Sequence, residues 1–180
     1  MTKLALALVA AALSVAAVQD EKVENPEYKG WAGQKAGAWV KYNVDTDAGT
    51  MKMASTMTFK LKEMTAEKAV IDSVTVMEMG GKKVETPSTR PVPAKVKKGT
   101  NSEGSKVELV SEGDEEIEVK GEKLACHWAE MKVEAKTGPS TIKIWTNDKI
   151  VGGAAKMVMT FEKPQKMTMT MIAVDWKAGE

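Results

Sequence analysis

From Thr141 to Trp176 apolar and polar residues alternate through three successive stretches. Ile142, Ile144 and Thr146 fall on one side of the first stretch. Met157, Met159 and Phe161 share one side of the second, and Met167, Met169, Met171 and Ala173 share one side of the third. Successive side chains on a strand point to opposite faces, so each Met-x-Met aims both thioethers the same way. Asn147-Asp148 with Gly152-Gly153, and then Pro164-Gln165, supply turn residues between the stretches. The spacing predicts three antiparallel strands. Opposite the Met face, Ile172, Val174 and Trp176 predict a last strand whose far end is covered on that side too.

The same period runs through the earlier chain. Val40, Tyr42 and Val44 alternate with Lys41, Asn43 and Asp45, and Asp47-Ala48-Gly49 turns the chain. Met51, Met53, Ser55, Met57, Phe59 and Leu61 then point one way, with Lys52, Thr56, Lys60 and Lys62 on the other side. One apolar and one solvated face is the mark of an antiparallel sheet. Residues 69–79 are apolar in both phases, which predicts cover on both faces. Gly80-Gly81 reads as a two-residue hairpin turn. Pro87, Pro91 and Pro93 confine the next segment to an edge or a loop. A polar loop over 97–106 and an acidic run from Glu112 to Glu118 follow, with a turn at Gly121. Leu124, Cys126 and Trp128 share a phase that Met131, Val133 and Ala135 do not, which predicts a β-bulge near Ala129-Glu130.

Before the first strand, Asn25 to Gly37 carries a proline and three glycines without a period, and reads as an irregular lead-in with Trp31 pinned to the sheet. After the first seventeen residues no stretch shows a helical period. The pattern predicts an all-β chain, a single curved antiparallel sheet of about nine or ten strands forming a half-barrel or collapsed barrel.

Composition adds an address. Lys3, the apolar run Leu4 to Leu13 and the small residues Val15-Ala16-Ala17 have the layout of a signal peptide cleaved after Ala17. The run is too short for an ordinary membrane span. The expected organisation is a signal peptide over 1–17, the lead-in over 18–37 and the β domain over 38–180. The mature protein is expected to be secreted or periplasmic, with no transmembrane segment. The whole chain has 26 basic and 25 acidic residues, so removing Lys3 leaves 25 of each and a net charge of zero. A neutral domain has no electrostatic reason to bind nucleic acid. The single cysteine, Cys126, has no intramolecular disulfide partner.

Candidate chemistry is sparse. His127, the one histidine, follows Cys126 directly, and strand neighbours point to opposite faces. No nucleophile elbow, zinc motif or phosphate-cradling loop is present. The chain is therefore read as no enzyme, with no catalytic residue, no cofactor and no metal site assigned. The anomaly is methionine: 13 in the chain, 12 without Met1. Thioethers are flexible and polarisable, suited to irregular cores and to surfaces that accept varied apolar partners. The candidate ligand-binding face is Met51, Met53, Met57, Phe59, Met157, Met159, Phe161, Met167, Met169 and Met171. Its expected partner is a lipid or other apolar ligand, or a lipid-modified protein. Two other readings stand beside it: an envelope interaction protein with a packed Met-rich core, and a periplasmic Cu(I)-binding protein, since soft thioethers suit Cu(I).

The stretch IWTNDKIVGGAAKMVM, Ile144 to Met159, carries a Trp-bearing strand through an Asp- and Gly-containing turn into a strand opening with Lys156. Together with the strand order from about Ala36 to Trp176, it resembles secreted β-rich proteins of the lipoprotein-carrier (LolA-like) half-barrel type and bacterial relatives of them. The resemblance implies a curved sheet around a concave apolar surface able to hold an acyl chain. The carriers plug that surface with helices and fix the lid with an arginine. This sequence shows neither, Arg90 standing alone in the Pro-rich segment, and no functional residue is carried over.

Overall fold

The computed structural model describes residues 21–135, 138–162 and 166–179. The expected signal peptide and the turn at Pro164-Gln165 lie outside the described residues. The elements are β1 (Lys22–Glu24), α1 (Pro26–Trp31), β2 (Trp39–Asp47), β3 (Lys52–Met64), β4 (Lys68–Met79), β5 (Lys82–Pro93), β6 (Lys95–Lys97), β7 (Lys106–Val119), β8 (Glu122–Ala135), β9 (Gly138–Thr146), β10 (Ala154–Phe161) and β11 (Met167–Lys177).

Nine strands form one antiparallel sheet in the order β5-β4-β3-β2-β11-β10-β9-β8-β7, and β1 pairs with β6 in a small ribbon. Two meanders are thus joined at the middle, where β2 pairs with β11. Among the described residues the sheet ends at β5 and β7 and does not close into a barrel. Both hairpin turns expected from glycine are present. Gly80 and Gly81 have φ of 59° and 75°, and Lys120 and Gly121 have 55° and 78°, the paired left-handed conformations that a tight hairpin demands. The β5 edge carries Pro87 and Pro91, which cannot donate to a further strand.

The core gathers at the end of the sheet where β2 begins. Val40, Leu61, Ala69, Ile71, Val92 and Trp31 are all buried there. Part of the cover is α1, in the stretch expected to be irregular and free of helix. Asn25 caps it by accepting from the Glu27 N–H at 3.1 Å, and Pro26 occupies the first turn, where its missing N–H costs nothing. Trp31 is driven inward onto Gly152, and Gly30 meets the Gly152 carbonyl so closely that a Cβ would collide with it. Tyr28 donates to the Thr65 carbonyl at 2.6 Å, and Arg90 of β5 pairs with Glu27. Arg90 is therefore not alone: it ties the helix to the edge of the sheet.

Three further expectations are corrected. The phase slip in β8 does not come from a bulge in that strand. β8 pairs with β9 without a register shift, and the extra residue is Val110 of β7, between Leu109 and Ser111. Leu124 and Cys126 are buried from one face of β8 and Val133 from the other, so the covered side changes along the strand. In β11 a register shift between Ala173 and Asp175 puts Trp176 opposite Val40, on the Met side rather than against it. Finally, β4 is sealed only near its start and on one face, at Ala69 and Ile71; Val70, Val74 and Val76 stay half-buried, as does Met77 on the face of Ile71.

Candidate apolar binding face

Directly paired residues in an antiparallel sheet share a face. Following the pairings across the sheet from β3 gives Met53, Thr46, Met169, Met159, Ile142, Met131 and Leu109, one residue from each of seven adjacent strands. Six inter-strand spacings of about 4.8 Å make this row roughly 29 Å long. Thr46 is its one polar member. The next row towards the core runs Ser55, Val44, Met171, Met157, Ile144 and Ala129. On the other side lie Met167, Phe161, Ser140, Val133 and Val107.

Six of the ten residues expected to form the face, Met157, Met159, Phe161, Met167, Met169 and Met171, therefore stand together on β10 and β11. Met53 extends their row through Thr46. Met57 and Phe59 lie nearer the core, where Phe59 meets Tyr42 edge-on at 5.8 Å between ring centroids. Tyr42 is buried and donates to the Ala154 carbonyl at 2.9 Å; burial pushes its phenol well above the ordinary value. Met51 precedes β3, in the turn from β2. Sequence reasoning left out Val44, Met131, Ile142, Ile144 and Leu109. Their alternation was legible, but which strands stood side by side was not.

The face is not sealed. Met171 is 3% exposed, whereas Met53 is 44%, Met51 57% and Leu109 53% exposed. The remaining methionines of the two central rows are half-buried. An open cavity of about 890 Å³ adjoins its outer row, lined by Val107, Val133 and Ser140, by Gly99, Thr100 and Gly104, and by charged residues such as Lys106, Lys132 and Glu134. Gly99, Thr100 and Gly104 belong to the chain between β6 and β7, which crosses from one edge of the sheet to the other. That connection is held by Ser102, which accepts from the Asn25 amide at 3.0 Å and donates to Glu27 at 2.7 Å.

The other face of β8 and β9 is built differently. Trp128 and Trp145 are cross-strand partners there. The Lys143 ammonium lies 3.9 Å from the Trp128 ring centroid and 4.8 Å from that of Trp145. Trp145 donates to Glu115 at 2.8 Å. The Trp145 indole, the Lys143 ammonium and the Glu115 carboxylate are thus held against one another on this face. Cys126 is buried, and its thiol is pushed up by burial and then by the Glu115 charge, the opposite of an activated nucleophile. His127 is exposed between Asp114 and Glu112. Among the described residues no cluster of His, Cys, Asp or Glu is arranged to hold a metal, and no helix is long and apolar enough to cross a membrane.

No family model and no curated protein matches the sequence. Solved structures similar in chain trace include a protein with YmcC-like fold from Bacteroides fragilis, 8% identical, with a TM-score of 0.44 over 80% of this chain and 97% of that one. A DUF1329 family protein from Desulfovibrio piger is also 8% identical, with a TM-score of 0.36 over 86% and 93%. A LolA superfamily protein from Nitrosomonas europaea is 7% identical, with a TM-score of 0.34 over 86% and 91%.

Proposed function

We propose that the protein is an exported, non-catalytic binding protein that takes the hydrocarbon part of a lipid, or of a lipid-modified protein, onto its Met face. The observation that carries this reading is the pair of largely apolar rows, one across seven strands and one across six, that stays partly open. An ordinary core would bury such rows, as it buries Val40, Leu61 and Ile71 a few residues away. Each half-exposed side chain keeps apolar surface in contact with water, at a cost of about 25 cal/mol per Å² that a bound hydrocarbon would remove. Methionine lets the wall adjust to a flexible chain. Export rests on the Lys3, Leu4–Leu13 and Val15-Ala16-Ala17 layout.

The test is native purification followed by mass spectrometry of what the protein carries, together with titration of the stripped protein with a fluorescent fatty acid. The expected results are a co-purifying lipid and saturable binding that unlabelled fatty acid displaces. Intact mass of the exported form should correspond to cleavage after Ala17. A stripped, folded protein that binds no fatty acid, and a native preparation that carries no lipid, would leave the face as an imperfectly filled core.

A further inference from the structure

The register of β10 and β11 sets Met157 opposite Met171 and Met159 opposite Met169. Directly opposed Cβ atoms lie roughly 4.5–5.5 Å apart on such a pair and diagonal ones roughly 7–8 Å. Four methionine side chains are therefore rooted at the corners of one patch on one face, and their flexible chains let the thioethers swing towards its centre. Their directly paired neighbours on β9 and β2 are Ile142, Ile144, Thr46 and Val44, which bring neither charge nor imidazole nor thiol. His127 stands two strands away, between its two carboxylates, and Cys126 lies on the other face of β8.

We propose that Met157, Met159, Met169 and Met171 form a binding site for a soft monovalent cation, Cu(I) or Ag(I). Neutral thioethers are soft donors, which Cu(I) prefers and which Mg²⁺ and Ca²⁺ reject in favour of oxygen. The surround supplies no imidazole or carboxylate of the kind that holds Zn²⁺. Partial burial excludes competing water, and the flexible side chains can adopt the geometry that a d¹⁰ ion asks for. Binding needs no electron transfer, because the ion enters and leaves as the monovalent species. The site uses the same wall as the proposed hydrocarbon face, so the two occupants exclude one another at β10 and β11.

The experiment is a competition titration against a chromophoric Cu(I) chelator without oxygen, repeated with Ag(I) as the redox-inert analogue. The wild type should take one equivalent of either ion. Met159→Leu with Met169→Leu should weaken binding by at least about tenfold, as loss of ligands does. The quadruple Leu variant should show no stoichiometric binding, while Met51→Leu with Met53→Leu, on the exposed end of the same face, should leave it unchanged. Chemical denaturation confirms that each variant is folded. Retained metal binding in the folded quadruple variant, or equal losses in the Met51/Met53 control, would overturn the site. Fatty-acid titration of the same variants separates the two readings. Leu keeps the wall apolar, so hydrocarbon binding should survive where metal binding is lost, and its disappearance would count against the hydrocarbon face and not against the metal site.

Discussion

The two ends of the nine-stranded sheet use different amino acids for the same backbone. Around α1, the buried positions are Val40, Leu61, Ile71, Val92 and Trp31, and they meet a permanent surface made by the helix and the 147–153 loop. Towards the opposite end, β3, β10 and β11 present Met53, Met159, Met167 and Met169, with Ile142, Met131 and Leu109 of β9, β8 and β7 beside them, and none of these is fully buried. Both regions belong to the same hydrogen-bonded sheet, with register shifts such as the one between Ala173 and Asp175 on the way, so the presence of strand pairing does not explain the change. What differs is the surface lying opposite. Stiff branched and aromatic side chains pack well against a shape that never changes. Methionine tolerates a shape that does. A Met stripe on a strand face is therefore read best as an apolar surface without a fixed cover.

The sharpest way to break this contrast is to truncate one residue from each end. Leu61→Ala removes a fully buried side chain and should cost about 2–5 kcal/mol, because the neighbours cannot collapse into the space. Met159→Ala, from a half-buried position, should cost about 1 kcal/mol, close to the lost transfer energy alone. Urea denaturation measures both. Equal costs would mean that the Met end is as tightly packed as the core, and the distinction would fail.

A charge probes the same point from the other side. Met169→Lys in a sealed core would strand an unpaired ammonium and cost about 3–5 kcal/mol. On an open face the four-carbon stem can lie along the apolar wall while the charge reaches water. The expected outcome is a folded variant destabilised by less than about 1.5 kcal/mol, with fatty-acid affinity reduced at least about tenfold by the intruding charge. A variant that unfolds would restore the packed-core reading.

The sequence showed one half of this contrast clearly and hid the other. Strict alternation located the Met face, the β2–β3 and β4–β5 hairpins and the Pro-bearing edge, because period 2 is a local property of the chain. The cover at the other end was missed. In NPEYKGW the glycine and the short length masked a six-residue helix whose Asn25 cap and Pro26 were visible signals. Gly30 looked like a breaker, yet it is glycine because the Gly152 backbone presses on it, a contact 122 positions away in the chain. Arg90 likewise had no visible partner until the fold brought Glu27 beside it. Register was the other hidden quantity. Nothing local to β8 reveals that its change of buried face accompanies an extra residue on β7, nor that a shift in β11 turns Trp176 to the side of Val40. The Met157–Met159–Met169–Met171 square was half legible: each pair was plain, but their alignment needed the hairpin register.

The smallest expected effect concerns the tip of the β7–β8 hairpin, which comes back to the core end of β11. Lys120 donates to Asp175 at 2.9 Å, and its ammonium lies 5.1 Å from the Trp176 ring centroid. The Asp175 carboxyl is held below its usual range, first by that hydrogen bond; burial, the next influence, opposes it, and the Lys120 charge, the Trp176 N–H and Lys41 add to the lowering. A carboxyl depressed in the folded state contributes stability that is complete above its unfolded value, near pH ~3.9, and is lost as pH falls through the folded value. Asp175→Asn removes this contribution while keeping the shape. Wild type should therefore show a slightly higher urea midpoint than the variant at neutral pH, and the gap should close on acidification below about pH 4. Both partners are about half exposed, so salt at about 0.5 M should narrow the gap as well. A gap that persists in acid and in salt would trace to packing of the side chain against Trp176, and the hairpin tip would then belong to the fixed cover of the core end through shape rather than through charge.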